Sequence, residues 1–332
     1  MSFNQNKISV ITPSFNQGQY LEETIVSVIN QGYDNLELII IDGNSSDNSV
    51  EIIHKYESHL TYWISEPDKG QSEAINKGLK KANGDIIMWL NSDDMLLPGT
   101  LARVNEYFNN HPNADIIHGE ALLFGEKINE KVIGKDKEDL KFKYLAYIPF
   151  PQPSSFVRKK VWDKIGGVNQ SLHYGMDFEF YAKAFLAGFV FMKVDDLFSK
   201  YRIHKYSKSN DDLNFAKDWA KVFSKILRSV SRGSQMIQWL SKVGIYQEEE
   251  SVFELSERID VDHLRKSLLY HLFIQAHYHY NALSLEKAHN ISELVKTIDY
   301  EFYIEKDLGK LNFRSKYFPA LLISSLRRLT RR

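Results

Sequence analysis

The chain has 332 residues, 43% of them apolar and 26% charged; that is enough to bury the core of one large domain and a smaller one, and it excludes a disordered or fibrous class. A formal net charge of −1 supplies no field to gather nucleic acid, and the lack of cysteine excludes disulfides and thiolate metal sites. Charge is uneven, however: 313–332 holds six basic residues and no acid, leaving 36 basic against 43 acidic residues, or −7, over 1–312.

Short runs rich in Ile, Val, Leu and aromatics predict strands at 8–12, 36–42, 60–65, 85–91 and 114–123. Helical patterns fill the intervals, at 20–30, 47–56, 71–81 and 100–110. Ser45, Ser46 and Asp47 offer capping oxygens for the second helix, and Gly32, Gly84 and Pro112 punctuate helix ends or the turns beyond them. Such alternation predicts a mostly parallel sheet with right-handed crossovers, in which ligands lie beyond the carboxyl ends of the strands. A less regular stretch follows, strand-like at 153–157, 190–194 and 198–203 and helical near 159–165 and 177–188.

Past Tyr206 the pattern becomes helical, with Leu213, Ala216, Trp219, Ala220, Phe223, Ile226, Leu227 and Val230 at helical spacing and breaks near Gly233, Gly244 and Asn281. The division expected is a domain over 1–208, with parts 1–124 and 125–208, then a helical region over 209–332. The tail, 313–332, carries Leu322, Leu326 and Leu329 at i, i+4 and i+7 beside Arg327, Arg328, Arg331 and Arg332, with Pro319 suited to a first helical position. A short basic amphipathic helix of this kind can lie on an anionic membrane; the plainer alternative is a solvated terminal helix. No apolar leader stretch opens the chain, and no run approaches the roughly 18 apolar residues of a membrane span, so the expected location is cytoplasmic, with peripheral membrane contact at most.

Four predicted strand ends deliver polar clusters: Thr12-Pro-Ser-Phe-Asn-Gln17, Asp42-Gly-Asn-Ser-Ser-Asp47, Glu66-Pro-Asp-Lys-Gly70 and Asn91-Ser-Asp-Asp94. Turns favour these residues anyway, but four clusters on one sheet edge point to a polar ligand crossing it. Asp93 and Asp94 follow the apolar run Ile86-Ile-Met-Trp-Leu90. Adjacent carboxylates there repel unless a cation is present, and a hard divalent ion such as Mg²⁺ or Mn²⁺ takes carboxylate and diphosphate oxygens together. The competing reading is a cap on the helix after Pro98. Asp42 can accept an imide N–H from a pyrimidine or simply make a turn with Asn44 or Ser45. Asp177 and Glu179 stand at a helix start, where Asp177 is either a general base or a first-turn acid; two apart, they point in different directions. His204 precedes a basic loop with Lys205 and Lys208, whereas His277 and His279 diverge on a helix and are not read as a metal site.

Taken together, Ile11-Thr-Pro-Ser-Phe-Asn16, Ile41–Asp47, Glu66–Gly70, Asn83-Gly-Asp85 with Leu90–Asp94, and Gly175-Met-Asp-Phe-Glu179 resemble, in order and spacing, the family 2 glycosyltransferases of the GT-A fold. The resemblance covers about 7–208 and implies a Rossmann-like mixed, mostly parallel sheet with flanking helices, followed here by a C-terminal helical region. It implies an inverting transferase that moves a sugar from a nucleotide-diphosphate donor to a glycan or lipid-linked glycan, in the setting of polysaccharide biosynthesis. UDP is the expected carrier, although thymine offers Asp42 the same N3–H. Asp42 would contact the base, with Thr12 and Pro13 lining its pocket and Asp68, Lys69, Gly70, Asn76, Ser92 and Asp93 completing the donor site. Asp94 would be the metal ligand, helped by Asp93 and His204, with Mn²⁺ or Mg²⁺ as cofactor. Asp177 aligns with the catalytic base, preceded by Met176 where the family often has an acid. Gln152, Glu179, Arg202 and Lys205 would belong to the acceptor or diphosphate loops.

Other nucleotide enzymes fit less well. Gly18 comes too late for a dinucleotide or pyrophosphorylase loop after the first strand, and no Gly-x-x-x-x-Gly-Lys-Ser/Thr is present. An inactive accessory subunit of a glycan assembly complex is the remaining alternative, against which Asp42, Asp93, Asp94 and Asp177 all argue.

Overall fold

The structure is a computed structural model that describes residues 5–126, 128–136, 138, 140–230, 234–248, 251–255 and 259–330. The chain divides into two compact units: one holds Met1–Lys137 and Ile148–Ser207, the other Glu138–Tyr147 and Lys208–Arg332.

The first unit is built on a sheet of nine strands among the described residues. In chain order its elements are β1 (Ile8–Ser14), α1 (Gly18–Ile29), β2 (Leu36–Asp42), α2 (Ser49–Lys55), β3 (Tyr62–Ser65), α3 (Gln71–Leu79), β4 (Ile86–Trp89), β5 (Met95–Leu96), α4 (Thr100–Asn110), β6 (Ile116–Gly125) and β7 (Lys131–Ile133). After α5 (Lys141–Tyr144), which lies in the second unit, come β8 (Ser155–Arg158), α6 (Lys159–Ile165), α7 (Met176–Leu186) and β9 (Phe191–Ile203). Strand order is β3-β2-β1-β4-β8-β6-β9-β5, with β7 paired to β6. The β3-β2-β1-β4 half is parallel throughout, β8 runs antiparallel to both β4 and β6, and β6 pairs β9 in parallel.

β1 and β4 are buried on both faces, which explains the continuous apolar sequence of β4; in β1 Ser9, Thr12 and Ser14 are buried along with the apolar residues. Ile8, Val10, Leu38, Ile40, Ile86 and Met88 form one core with Leu21, Ile25 and Val28 of α1 and Leu101, Val104 and Phe108 of α4. The chain walks outward from β1 to β2 and β3, then returns across β1 to place β4 on its other side. That reversal puts the switch point, where ligands settle in open α/β sheets, between the carboxyl ends of β1 and β4.

Two expectations change here. The runs at 190–194 and 198–203 belong to one thirteen-residue strand, β9, whose pairing with β6 shifts register around Glu120. Neither α2 nor α4 has a side-chain cap; Asp47 instead joins two helix starts, accepting Gly18 N–H (2.9 Å) and Ser49 N–H (3.0 Å).

The second unit holds α5 and the helices α8 (Asp212–Ser229), α9 (Ser234–Lys242), α10 (Val261–Asn281), α11 (Leu285–Ile298), α12 (Tyr300–Glu305), α13 (Leu308–Tyr317) and α14 (Ala320–Thr330). No described helix is long and apolar enough to cross a membrane.

In the first unit Trp162 packs on Trp89 (ring centroids 5.6 Å) and Phe180 (4.2 Å), and is 1% exposed. Trp162→Ala should lower unfolding free energy by about 3–5 kcal/mol, read from the shift in denaturant midpoint at unchanged slope.

Candidate active site

Each of the first four parallel strands ends in polar groups that the structure ties to the next. At the end of β1, Thr12 and Ser14 are buried, and the hydroxyl oxygens of both lack a partner among the described residues; Pro13 lies in register with Ile41 of β2. β2 ends in Asp42, fully buried, whose carboxylate accepts Ser45 N–H (2.9 Å), the Ser45 hydroxyl (2.5 Å) and the Ser65 hydroxyl from the end of β3 (2.7 Å). The turn expected of an Asp here is therefore made, and the same carboxylate also fixes a neighbouring strand.

The third cluster bridges to the fourth. A Cβ on Gly43 would come within 3.0 Å of Asp68, whose carboxylate accepts Gly70 N–H (2.8 Å). Gly70 sits at φ +115°, a region closed to side chains, and its next residue, Gln71, donates to Asn91 Oδ1 (2.7 Å). Lys69 is exposed, its N–H held by Glu73. Asn76 uses both ends of its amide on the backbone of Val168 (2.8 and 2.9 Å), so its contacts fasten the loop after α6.

Beyond β4 the chain turns sharply through Asn91–Asp94. Thr24 on α1 donates its hydroxyl to both Ser92 O (2.9 Å) and Asp94 O (2.7 Å), while Arg202 Nε donates to Asp93 O (2.8 Å). Ser92 is buried, and Asp94 is 0% exposed. Its two carboxylate oxygens accept Arg202 N–H (3.0 Å) and the Asn91 amide (3.3 Å). No α4 amide is served, so the helix-cap reading fails. Burial first, and the Asp93 charge second, push the Asp94 carboxyl well above the usual range.

Asp93 is more open and bonds His204 Nε2 at 3.0 Å. Tyr206 N–H donates to His204 Nδ1 (3.2 Å), which makes Nε2 the protonated nitrogen and the donor to Asp93. His204 is buried against Tyr20 (4.6 Å). Among the described residues no group of three or more His, Asp or Glu side chains surrounds one point. In this arrangement the His204 ring is bonded to Asp93 and to the Tyr206 backbone.

α7 brings its first turn to the same rim. Ser72 at the start of α3 donates to Leu172 O (3.2 Å) and Met176 Sδ (2.7 Å), and the His173 ring lies 3.8 Å from where a Gly70 Cβ would be. Asp177 is half-buried in that turn, accepting Phe178 N–H (2.8 Å). Glu179 is buried and accepts the Asn169 amide (3.1 Å), separate from Asp177 as their spacing implies. Gln152 donates to Trp89 O at the end of β4 (3.0 Å), and its buried carbonyl oxygen lacks a partner among the described residues. Lys205 is exposed. Arg202 is not an open anion ligand: its guanidinium lies over Tyr20 (4.7 Å) and Phe124 (4.5 Å) and pairs with Glu23.

The helix expected at 20–30 is α1, and no expected site residue lies on it. Tyr20, Glu23, Thr24 and Ser27 form a polar stripe at helical spacing beside the apolar Leu21, Ile25 and Val28, and all four reach the acid turn, Arg202 or β5. That second stripe is the signal that such a helix serves a site as well as a core.

The family described as "Glycosyl transferase family 2" matches residues 9–166. An uncharacterised glycosyltransferase of Mycobacterium tuberculosis is 32% identical over 187 residues, which are 54% of this chain and 69% of that protein. A GalNAc(5)-diNAcBac-PP-undecaprenol beta-1,3-glucosyltransferase of Campylobacter jejuni is 35% identical over 136 residues, 40% of this chain and 41% of that protein. The structure of S. aureus TarS 1–349 in complex with UDP-GlcNAc shares the fold, with TM-score 0.64 and 16% identity over 94% of this chain and 93% of that one. Fold and relatives define a glycosyltransferase enzyme. The chain belongs to glycosyltransferase family 2.

Thr24→Val keeps the shape of the side chain but strands two buried carbonyls. It should cost about 1–3 kcal/mol of stability in chemical denaturation, whereas Ser27→Ala at the partly exposed end of the stripe should cost less.

Proposed function

We propose that the chain moves a sugar from a uridine diphosphate sugar to a hydroxyl of a glycan or lipid-linked glycan, in one displacement that inverts the anomeric centre. One observation carries the reading: at the switch point of the sheet, Asp93 and Asp94 are held side by side by Thr24 and Arg202 and cap no helix. Support for the donor comes from the bound UDP-GlcNAc in the TarS structure, and support for a lipid-linked acceptor from the name of the Campylobacter jejuni relative.

Asp42 has accepted three hydrogen bonds, which leaves about one lone-pair site for an N3–H of the base. Thr12 and Ser14, beside Pro13, offer the ribose side hydroxyls that lack partners among the described residues. Asp68, Lys69 and Gly70 border the sugar, and exposed Lys205 faces the departing anion.

The donor set suits a hard divalent ion, since Asp93 and Asp94 present carboxylate oxygens whose mutual repulsion a cation relieves. Mg²⁺ or Mn²⁺ held by Asp93 and Asp94 would supply Lewis-acid neutralisation of the leaving diphosphate. His204 keeps Asp93 in place by donating from Nε2. Asp177 accepts the acceptor's proton as the hydroxyl oxygen bonds the anomeric carbon; the old carbon–oxygen bond breaks and its electron pair leaves with the nucleoside diphosphate. One carboxylate and no enzyme nucleophile means one inversion, from an α-linked donor to a β-linked product.

Asp177→Asn should slow transfer by about 10²–10⁴-fold in a radiolabelled-sugar assay while calorimetric donor affinity stays near wild type. A variant that transfers at the normal rate would discard Asp177 as base. Asp94→Ala should remove the gain in UDP-sugar affinity that Mn²⁺ gives the wild type; the same gain in both proteins would discard the carboxylate pair as cation site. Slow donor hydrolysis by the wild type without acceptor separates this enzyme from an inactive binding protein.

A further inference from the structure

The second unit carries an exposed aromatic and basic surface. On α13, Phe313 and Tyr317 are one turn apart with ring centroids 5.0 Å apart, and they are 56% and 61% exposed. On α14 the next exposed apolar residues are Leu321, at 83%, and Leu322. The helix docks instead through Ile323, which is buried. Arg314 and Lys316 stand exposed among them, and neither has an acidic partner among the described residues. Of the apolar stripe expected from the sequence, Leu322 is exposed, while the side chains of Leu326 and Leu329 lie outside the described residues.

We infer that α13 and α14 form a docking surface for an anionic phospholipid bilayer, with Phe313, Tyr317 and Leu321 entering the headgroup region and the basic side chains meeting lipid phosphates. Charge complementarity selects this occupant. Positions 313–332 hold six cations and no anion in a chain whose other 312 residues carry −7, so an acidic protein body is drawn toward a negative surface at this one place. Two aromatic rings beside uncompensated cations suit the water–lipid boundary, where an amphipathic ring has one wet and one apolar side. A protein interface would instead gain little from unpaired cations at its centre. The inference stands apart from the catalytic reading, because all of these residues belong to the second unit and the acid turn belongs to the first.

The test is co-sedimentation of the full chain with sucrose-loaded vesicles, of phosphatidylcholine alone or mixed with phosphatidylglycerol. The wild type should bind the mixed vesicles and release with added salt. Arg314→Glu with Lys316→Glu should weaken binding at least about tenfold, in line with the loss of two surface cations. Phe313→Ser with Tyr317→Ser should weaken it while leaving the salt dependence in place. Both variants should keep wild-type circular dichroism and wild-type transfer to a water-soluble acceptor, so loss of binding reports the surface and not misfolding. Equal binding to both vesicle types, or variants that bind like the wild type, would overturn the inference. So would self-association through Phe313 and Tyr317 without vesicle binding, which would make a second copy of this chain the occupant.

Discussion

Two carboxylates on consecutive residues, one of them wholly out of water, are an electrostatic conflict that the fold has to contain. Asp94 keeps its place because Arg202 N–H and the Asn91 amide reach its oxygens and because Thr24 and Arg202 hold the backbone on either side. Neither device offsets burial first and the Asp93 charge second, which together push the Asp94 carboxyl up. The protein has fixed the geometry of the turn while leaving the charge problem open.

Much of the sheet's second half follows from that turn. β9 runs thirteen residues, beyond what a core needs, and ends by placing Arg202 and His204 beside Asp93 and Asp94. The register shift opposite Glu120 lets it do so: β9 is paired with β6 along most of its length and still meets β5, whose two residues directly follow the acid turn. β8, inserted antiparallel between β4 and β6, brings Gln152 to the end of β4. Asn76 then fixes the other wall, because a Cβ on Gly167 would lie 2.4 Å from its amide oxygen and only glycine lets the loop approach closely enough to be pinned. That pinned loop leads to Asp177. Asn76, expected among the donor contacts, bonds the backbone of Val168 through both ends of its amide.

The first four strands and helices were readable to within about two residues because core-facing strands and amphipathic helices leave different periods in a sequence. The acid clusters were readable because strand ends are where a sheet edge meets a ligand, and chemistry there stands out against an apolar run. β9 was not, since Asp195 and Asp196 interrupt its apolar pattern as a turn would, and only pairing to β6 shows the strand to be continuous. β5 is too short to have a period at all. Nor was the stripe on α1, because Thr24 and Glu23 read as ordinary helix surface until residues about seventy and one hundred eighty positions away bond to them.

The segment Glu138–Tyr147 shows the same limit from the other side. There Lys143 is buried with its ammonium on Glu138, and Glu138 also takes bonds from Tyr270 and Lys306. Hydrogen bonds from Lys143, Tyr270 and Lys306, in that order, hold Glu138 down to about 2, so the cluster stays charged through any physiological pH. On the same helix as Tyr270, His271 spends Nδ1 on Ala146 O and stacks on Phe223, and burial lowers it to about 4, which keeps it neutral where the cluster is charged. One helix, α10, therefore grips this short segment twice, by an ion cluster at one end and a neutral imidazole at the other. Tyr270 and Glu138 are 132 positions apart and His271 and Ala146 are 125, and interactions of that range leave no local pattern; Lys143 stands only five positions from Glu138, yet it is spelled like a lysine bound for water, and only the partners decide.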